Sequence, residues 1–218
     1  MGRLRPLLSL RLNLFLPQST QGKQRKSPNC PHLQYKMNTV KHKRIILGMT
    51  GASGVTYGLR LLELLLQSGH EVHLVMSPAW HQSAAHEGFT PPQANAGLTI
   101  YEPHNYNVPI ASGSALFDGM VIAPCSGSTL GCIASGVNQH LIHRAAEVHL
   151  KERRRLILLF RESPLSLVHI QNMERITLAG GIIQIASPHF YTAPQTIQEA
   201  VATVTERTLQ LLATEVHL

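Results

Sequence analysis

KRIILGMTGASG, residues Lys43 to Gly54, decides the fold. A short apolar run, Ile45 to Gly48, has the length of a buried strand and gives way to a turn of small residues, Gly51, Ala52, Ser53 and Gly54. Tyr57, Leu59, Leu61, Leu62, Leu64 and Leu65 then follow at helical spacing. The stretch reads strand, tight loop, helix. A helix N-terminus presents unpaired backbone N–H groups and the positive end of its dipole, so a loop without bulky side chains there offers room for an anion. Two readings stay open at this point: a phosphate-type seat at Gly51 to Gly54, or a β-to-α turn whose residues are small because the chain must reverse. The stretch lacks the six-residue glycine fingerprint of dinucleotide folds and the lysine of a P-loop. Ser53 is no nucleophile elbow either, because no glycine stands two residues after it.

Beyond this stretch the same alternation continues. Glu71 to Met76 reads as a second strand, and Ser77 to Glu87 as a helix with Ser77 as N-cap and Pro78 at its first position. Gly88 to Asn107 is rich in Pro, Asn and Gly, with a short strand predicted at Leu98 to Tyr101. Ala111 to Ser114 (ASGS) is a turn of small residues, and Gly119 to Ala123 is a buried strand that runs into Pro124, Cys125 and Ser126. A second polar loop, Ser126 to Thr129, follows it, with Ser128 or Thr129 expected to cap the next helix. A helix over 139–153, a strand at Leu156 to Phe160, a helix at Leu165 to Leu178, a strand at Ile182 to Ile185 and a long amphipathic helix at Thr196 to Leu212 complete the pattern. Strands alternating with helices predict an α/β protein, a Rossmann-like or flavodoxin-like three-layer sandwich on a parallel sheet. Ligands in such folds bind beyond the C-terminal strand ends. Thr50 to Gly54, Ser77, Ser126 to Thr129 and Arg161 to Ser163 all follow strands, so they are expected to converge on one edge.

Charge divides the chain. Residues 1–44 hold ten Lys and Arg with no Asp or Glu, whereas the other 174 of the 218 residues hold nine basic and twelve acidic side chains. The domain reading is therefore a disordered basic extension over 1–43 followed by an α/β domain over 44–218. The extension has the composition of an organelle transit peptide; equally, Met37 begins MNTVKHKRIILG, an ordinary start just before the first strand. The compartment expected is cytoplasmic, or mitochondrial if the extension is a transit peptide. The body has no basic stripe with interleaved aromatics, which argues against nucleic acid, and no apolar run reaches the length of a membrane span.

The chemistry-bearing residues divide the same way. Cys30, Cys125 and Cys132 show no CxxC spacing, which fits a reducing compartment without a structural zinc site. Cys125 reads as a buried structural thiol or as a nucleophile. His140 with His143 and His81 with His86 are spaced pairs without a third ligand, so no metal is expected. Arg161 and Glu162 end an apolar strand, which predicts that at least one charge lies near buried surface. Lys151, Arg153, Arg154 and Arg155 read mostly as a solvated helix end.

MTGASGVTYGLRLLE, VMSPA, ASGS, PCSGSTL, HRAAEVHLKERRRLILLFRESPLSLVHIQNM and FYTAPQTI, in this order, resemble the UbiX-like flavin prenyltransferases over essentially Lys43 to Leu212. The resemblance implies a dodecameric, metal-independent enzyme that joins the dimethylallyl group of dimethylallyl phosphate to N5 and C6 of reduced FMN. The product, prenylated FMN, would serve a UbiD-type decarboxylase partner, in many bacteria for ubiquinone synthesis. Residue by residue, Gly51, Ala52 and Ser53 match the FMN-contacting loop, and Ser77, Ser126, Gly127, Ser128, Thr129 and Arg161 match further flavin-binding positions. Lys151, Tyr191 and Arg207 match residues that hold the prenyl phosphate, some from a neighbouring subunit. Ser53 lies close to the reacting flavin, and Glu87 and Glu162 match positions implicated in proton transfer. The alternatives are a flavin-dependent cysteine decarboxylase of the same superfamily, whose Asn and Met motif is absent from APCSGSTL, and a non-catalytic flavin carrier. Where the family has a tryptophan beyond the last helix, this sequence has its one tryptophan at Trp80.

Overall fold

The apolar run after Lys43 becomes a six-residue strand, β1 (Arg44–Met49), buried from Ile45 onward. It lies at the middle of a computed structural model that describes residues 42–213. These belong to one unit, residues 36–218. The extension expected over 1–43 lies outside the described residues except for its last two.

The elements follow the predicted alternation: α1 (Val55–Gln67), β2 (Glu71–Met76), α2 (Pro78–Glu87), β3 (Leu98–Tyr101), β4 (Gly119–Cys125), α3 (Gly127–Ala134), α4 (Leu141–Lys151), β5 (Leu156–Phe160), α5 (Leu167–Leu178), β6 (Ile182–Ile185) and α6 (Ile197–Ala213). All strand pairs are parallel, in the order β3-β2-β1-β4-β5-β6. This is the doubly wound Rossmann order rather than the flavodoxin one, and its strand order reverses between β1 and β4.

Alternation along each strand splits the core in two. Ile45, Leu47 and Met49 join Val121, Ala123, Ile157 and Leu159 under α1, α6 and Trp80 of α2. Ile46 joins Met120, Ile122, Leu156, Leu158 and Phe160 under α3, α4 and α5. Each fully buried Leu or Ile removed from water contributes about 1.5–3 kcal/mol, which is why the apolar runs set the register of the sheet. No helix among the described residues is long and apolar enough to cross a membrane.

Three local expectations change. Ser126, not Ser128 or Thr129, caps α3: its Oγ accepts the Thr129 N–H at 3.2 Å. The helix begins two residues earlier than a Ser128 cap would start it, because three hydroxyl residues within four positions compete for the cap and only Ser126 has the extended backbone that the position needs. The run after Lys151 is not mostly solvated. Arg154 donates to Ala115 O at 2.7 Å and Gly113 O at 2.6 Å, and Arg155 to Leu211 O at 2.6 Å, so both bind loop and helix carbonyls. Finally, the side chains of Arg161 and Glu162 are exposed, because β5 ends at Phe160 and the chain leaves the sheet there.

Candidate active site

The β1–β4 crevice is closed at its base by Thr50. Its hydroxyl donates to Pro124 O at 2.8 Å and accepts the Ser126 N–H at 2.9 Å. With Thr50 1% exposed, this two-way bond fixes the ends of both central strands, and with them the two polar loops, side by side. The first loop holds Gly51, Ala52 and an exposed Ser53. A Cβ on Gly51 would sit 2.5 Å from that of Ala79, so only glycine lets α2 lie across the loop. Ser83 Oγ completes that contact by donating to Gly51 O at 3.2 Å. Gly54 has φ 96°, the left-handed region, which lets the chain turn directly into α1.

Of the two readings left open for the α1 N-terminus, the structure shows its N–H groups binding a carboxylate of the chain itself. Glu87, at the end of α2, accepts the Gly54 N–H at 2.7 Å with Oε1 and the Val55 N–H at 2.9 Å with Oε2. Both carboxylate oxygens are thereby engaged by the backbone, so the structure places Glu87 as a clamp on the turn that carries Ser53. Ser77 is likewise engaged as the N-cap of α2: it is buried and accepts the Trp80 N–H at 3.2 Å.

The second loop is the N-terminus of α3, with Gly127 and Ser128 in its first turn and Thr129 buried beneath them. Arg161 follows β5 and is tied to β4 by its N–H to Cys125 O at 3.1 Å. Its charge reaches Tyr57 of α1: burial pushes the Tyr57 phenol up, against the pull of the Arg161 charge. Glu162 Oε1 accepts the Ser163 N–H at 3.1 Å, and a Cβ on Gly127 would lie 3.7 Å from Glu162 Oε2 and 2.8 Å from His169 Nε2. Gly51, Ala52, Ser53, Ser126, Gly127, Ser128, Arg161 and Glu162 are therefore brought to one edge, as the strand-end rule predicts.

Tyr191 is in the loop after β6, 85% exposed, with its ring stacked on His189. Arg207 is exposed on α6, ten residues past the helix start, and donates to Gln210 Oε1 at 3.2 Å. Lys151 is at the opposite edge of the sheet. It ends α4 and pairs with Glu152 beside Gly113, in the segment that leads into the start of β4. Thus one chain does not bring the three expected phosphate-holding residues to Ser53.

Sequence reasoning missed Arg144 and His169, and it placed Thr50 at the site edge and Tyr57 on the first helix without a role for either. Arg144 Nε donates to Ala111 O at 3.1 Å, which puts a second cation beside the ASGS turn with Lys151. The signal was present, since Arg144 lies seven residues before Lys151 and so on the same side of α4. Cys125 is no nucleophile: it is fully buried, and burial pushes its thiol far above the usual range. No group of three or more His, Cys, Asp or Glu among the described residues could hold a metal ion. An open groove of about 520 Å³ lies between α3 and α5, but among the expected residues only Ser128 lines it.

Comparison with known proteins agrees with this fold. The Flavoprotein family model matches residues 33–209. A flavin prenyltransferase UbiX of Thermoplasma acidophilum is 44% identical over 171 residues, covering 78% of this chain and 94% of that protein. The crystal structure of AnUbiX (PadA1) in complex with FMN and dimethylallyl pyrophosphate superposes with a TM-score of 0.77 at 37% identity, covering 80% of this chain and 94% of that one. A dodecameric FMN-dependent UbiX-like decarboxylase from Escherichia coli O157:H7 gives a TM-score of 0.73 at 38% identity over 79% of this chain and 96% of that one. With identity at this level over more than three quarters of its length, this chain belongs to the UbiX-like flavin prenyltransferase family.

Proposed function

We propose that this chain joins the dimethylallyl group of dimethylallyl phosphate to N5 and C6 of reduced FMN and releases prenylated FMN. The observation that carries the reading is the edge where Ser53, the α3 N-terminus, Arg161 and Glu162 meet at the reversal of strand order, in a chain 37% identical to a structure holding FMN and a dimethylallyl pyrophosphate. The residues fit a flavin. Gly51 and Gly127 keep side-chain bulk out of the two loops, and the α3 N-terminus and Arg161 supply donors and positive charge for an electron-rich ring and a phosphate.

Reduced FMN supplies the nucleophilic nitrogen and carbon. This chain's residues have other tasks. Cleaving an allylic carbon–oxygen bond builds charge on the departing phosphate, which Lys151, Arg207 and the Tyr191 hydroxyl stabilise. Closing the ring at C6 requires a proton delivered to the dimethylallyl double bond and loss of the C6 proton, and Glu162 accepts the latter. Glu87, with both oxygens on backbone N–H groups, holds Ser53 against the ring rather than carrying the proton.

Because Lys151 lies at the far edge of its own sheet, the phosphate site is completed by a second copy of the chain. An oligomer, a dodecamer like the Escherichia coli relative, answers that need. The large apolar side chains left exposed on α5 and around α6, Leu167, Leu178, Phe190 and Ile197, are suited to covering one another in it. The product would pass to a UbiD-type decarboxylase.

The test is anaerobic incubation with reduced FMN and dimethylallyl phosphate, followed by mass analysis of the released flavin. A gain of one C5H8 unit is the expected result, and unmodified flavin would turn the reading towards a carrier. Adding the product to a cofactor-free UbiD-type decarboxylase, and measuring decarboxylation, tests the partner.

A further inference from the structure

We propose that His169 is a positioning residue that holds the Glu162 carboxylate over the α3 N-terminus. This rests on the reading of Glu162 as the proton acceptor. His169 stands at the third position of α5, in a reciprocal cap: Ser166 Oγ accepts the His169 N–H at 3.3 Å, and His169 Nδ1 accepts the Ser166 N–H at 3.3 Å. Glu or Gln ordinarily fills the third position of such a box. Histidine does the capping with one nitrogen and has a second nitrogen left over.

That second nitrogen has a defined character and a defined place. An Nδ1 that accepts an N–H carries no proton, so the neutral ring has its proton on Nε2, which is a donor. The ring is half-buried, with Phe160 at 5.8 Å and 64° to it, and Nε2 lies against Gly127. Glu162 Oε2 lies against the same glycine. Its partner Oε1 is already engaged by the Ser163 N–H. The geometry therefore sets an N–H donor and the free oxygen of Glu162 beside the same glycine, without direct contact, where one water would join them. A side chain larger than hydrogen at residue 127 would strike Nε2, so Gly127 is part of the same device.

Two substitutions of the full chain separate this role from capping. His169→Gln keeps an acceptor for the Ser166 N–H and a donor for Glu162. His169→Glu keeps the acceptor and has no donor. Both variants are expected to melt close to the parent, since both complete the box. Flavin prenylation by His169→Glu is expected to lose about 10- to 100-fold in kcat, with KM for dimethylallyl phosphate within about twofold. His169→Gln is expected to stay within about fivefold of the parent in kcat. If His169→Glu turns over like the parent, or His169→Gln falls as far as His169→Glu, the proposal is overturned. The visible spectrum of bound FMN is the second readout. A spectrum changed in His169→Glu and unchanged in His169→Gln supports the placement even if the parent does not prenylate flavin, which would overturn the proposed function alone. Three identical spectra in that case overturn the placement as well.

Discussion

At the scale of single residues, Glu87 changes the meaning of the loop that opens the chain. A helix start of the kind that binds a ligand's phosphate is occupied by a carboxylate from 33 residues away, and charge-assisted bonds of this kind are among the stronger ones in proteins. Glu87→Ala is expected to cost about 1–2 kcal/mol of stability, the usual cost of losing a helix cap. It should also weaken FMN binding, because Ser53 and Gly54 lose their anchor. Chemical denaturation and flavin titration check the two effects. Glu87→Gln, which retains an acceptor without the charge, should fall between the parent and Glu87→Ala in both. If the residue's importance lay only in carrying a proton, Glu87→Gln would instead match the parent in stability and FMN affinity.

At the scale of elements, α4 carries an acid sensitivity. His143 is 2% exposed and His149 fully buried, and burial pulls both down to about 4 from an ordinary 6.5. Each has a ring nitrogen, Nε2, without a hydrogen-bond partner. Both therefore stay neutral in the fold, whereas the unfolded chain protonates them near 6.5. Between these values the unfolded state binds more protons, so the stability they contribute is whole above about pH 6.5 and is lost as pH falls towards 4. Denaturation midpoints at pH 7.5 and pH 5 are expected to differ by the equivalent of ~2 kcal/mol for each histidine, with His143→Gln removing one share. Much at this scale was legible in the sequence. β2, β3, β5 and β6 lie where the sequence reading puts them, because each is a short run rich in apolar and β-branched residues bounded by polar or loop-forming ones. The start of α3 was not legible, because Ser126, Ser128 and Thr129 are all competent caps and backbone geometry chooses among them. Nor was the role of Glu87, which depends on α2 crossing back over the first loop. The 3-10 turn at Pro109–Ala111 went unmarked within a stretch rich in loop residues.

At the scale of the whole molecule, the parallel sheet separates the expected chemistry into two parts. Ser53, Arg161 and Glu162 lie beyond the C-terminal strand ends, where a doubly wound fold is expected to bind its ligand. Lys151 lies at the other end, beside Gly113 and the approach to β4. Motif order names these residues without their separation, since linear spacing says nothing about which edge a helix end reaches. On the proposed function neither edge is a complete site by itself, and a chain that loses its partners should retain flavin contacts yet lose turnover. Leu178→Lys, placing a charge on an exposed apolar position of α5, is expected to shift the oligomer to smaller species on size-exclusion chromatography and to lower turnover in proportion.

The placement of Lys151 opposite Glu162 also has a genetic signature. A chain bearing Lys151→Ala still offers an intact flavin edge, and a chain bearing Glu162→Gln still offers an intact lysine. Unfolded together and reassembled at equal amounts, two inactive variants should restore each other: in a symmetric ring of copies about a quarter of the junctions would pair the sound half of one with the sound half of the other.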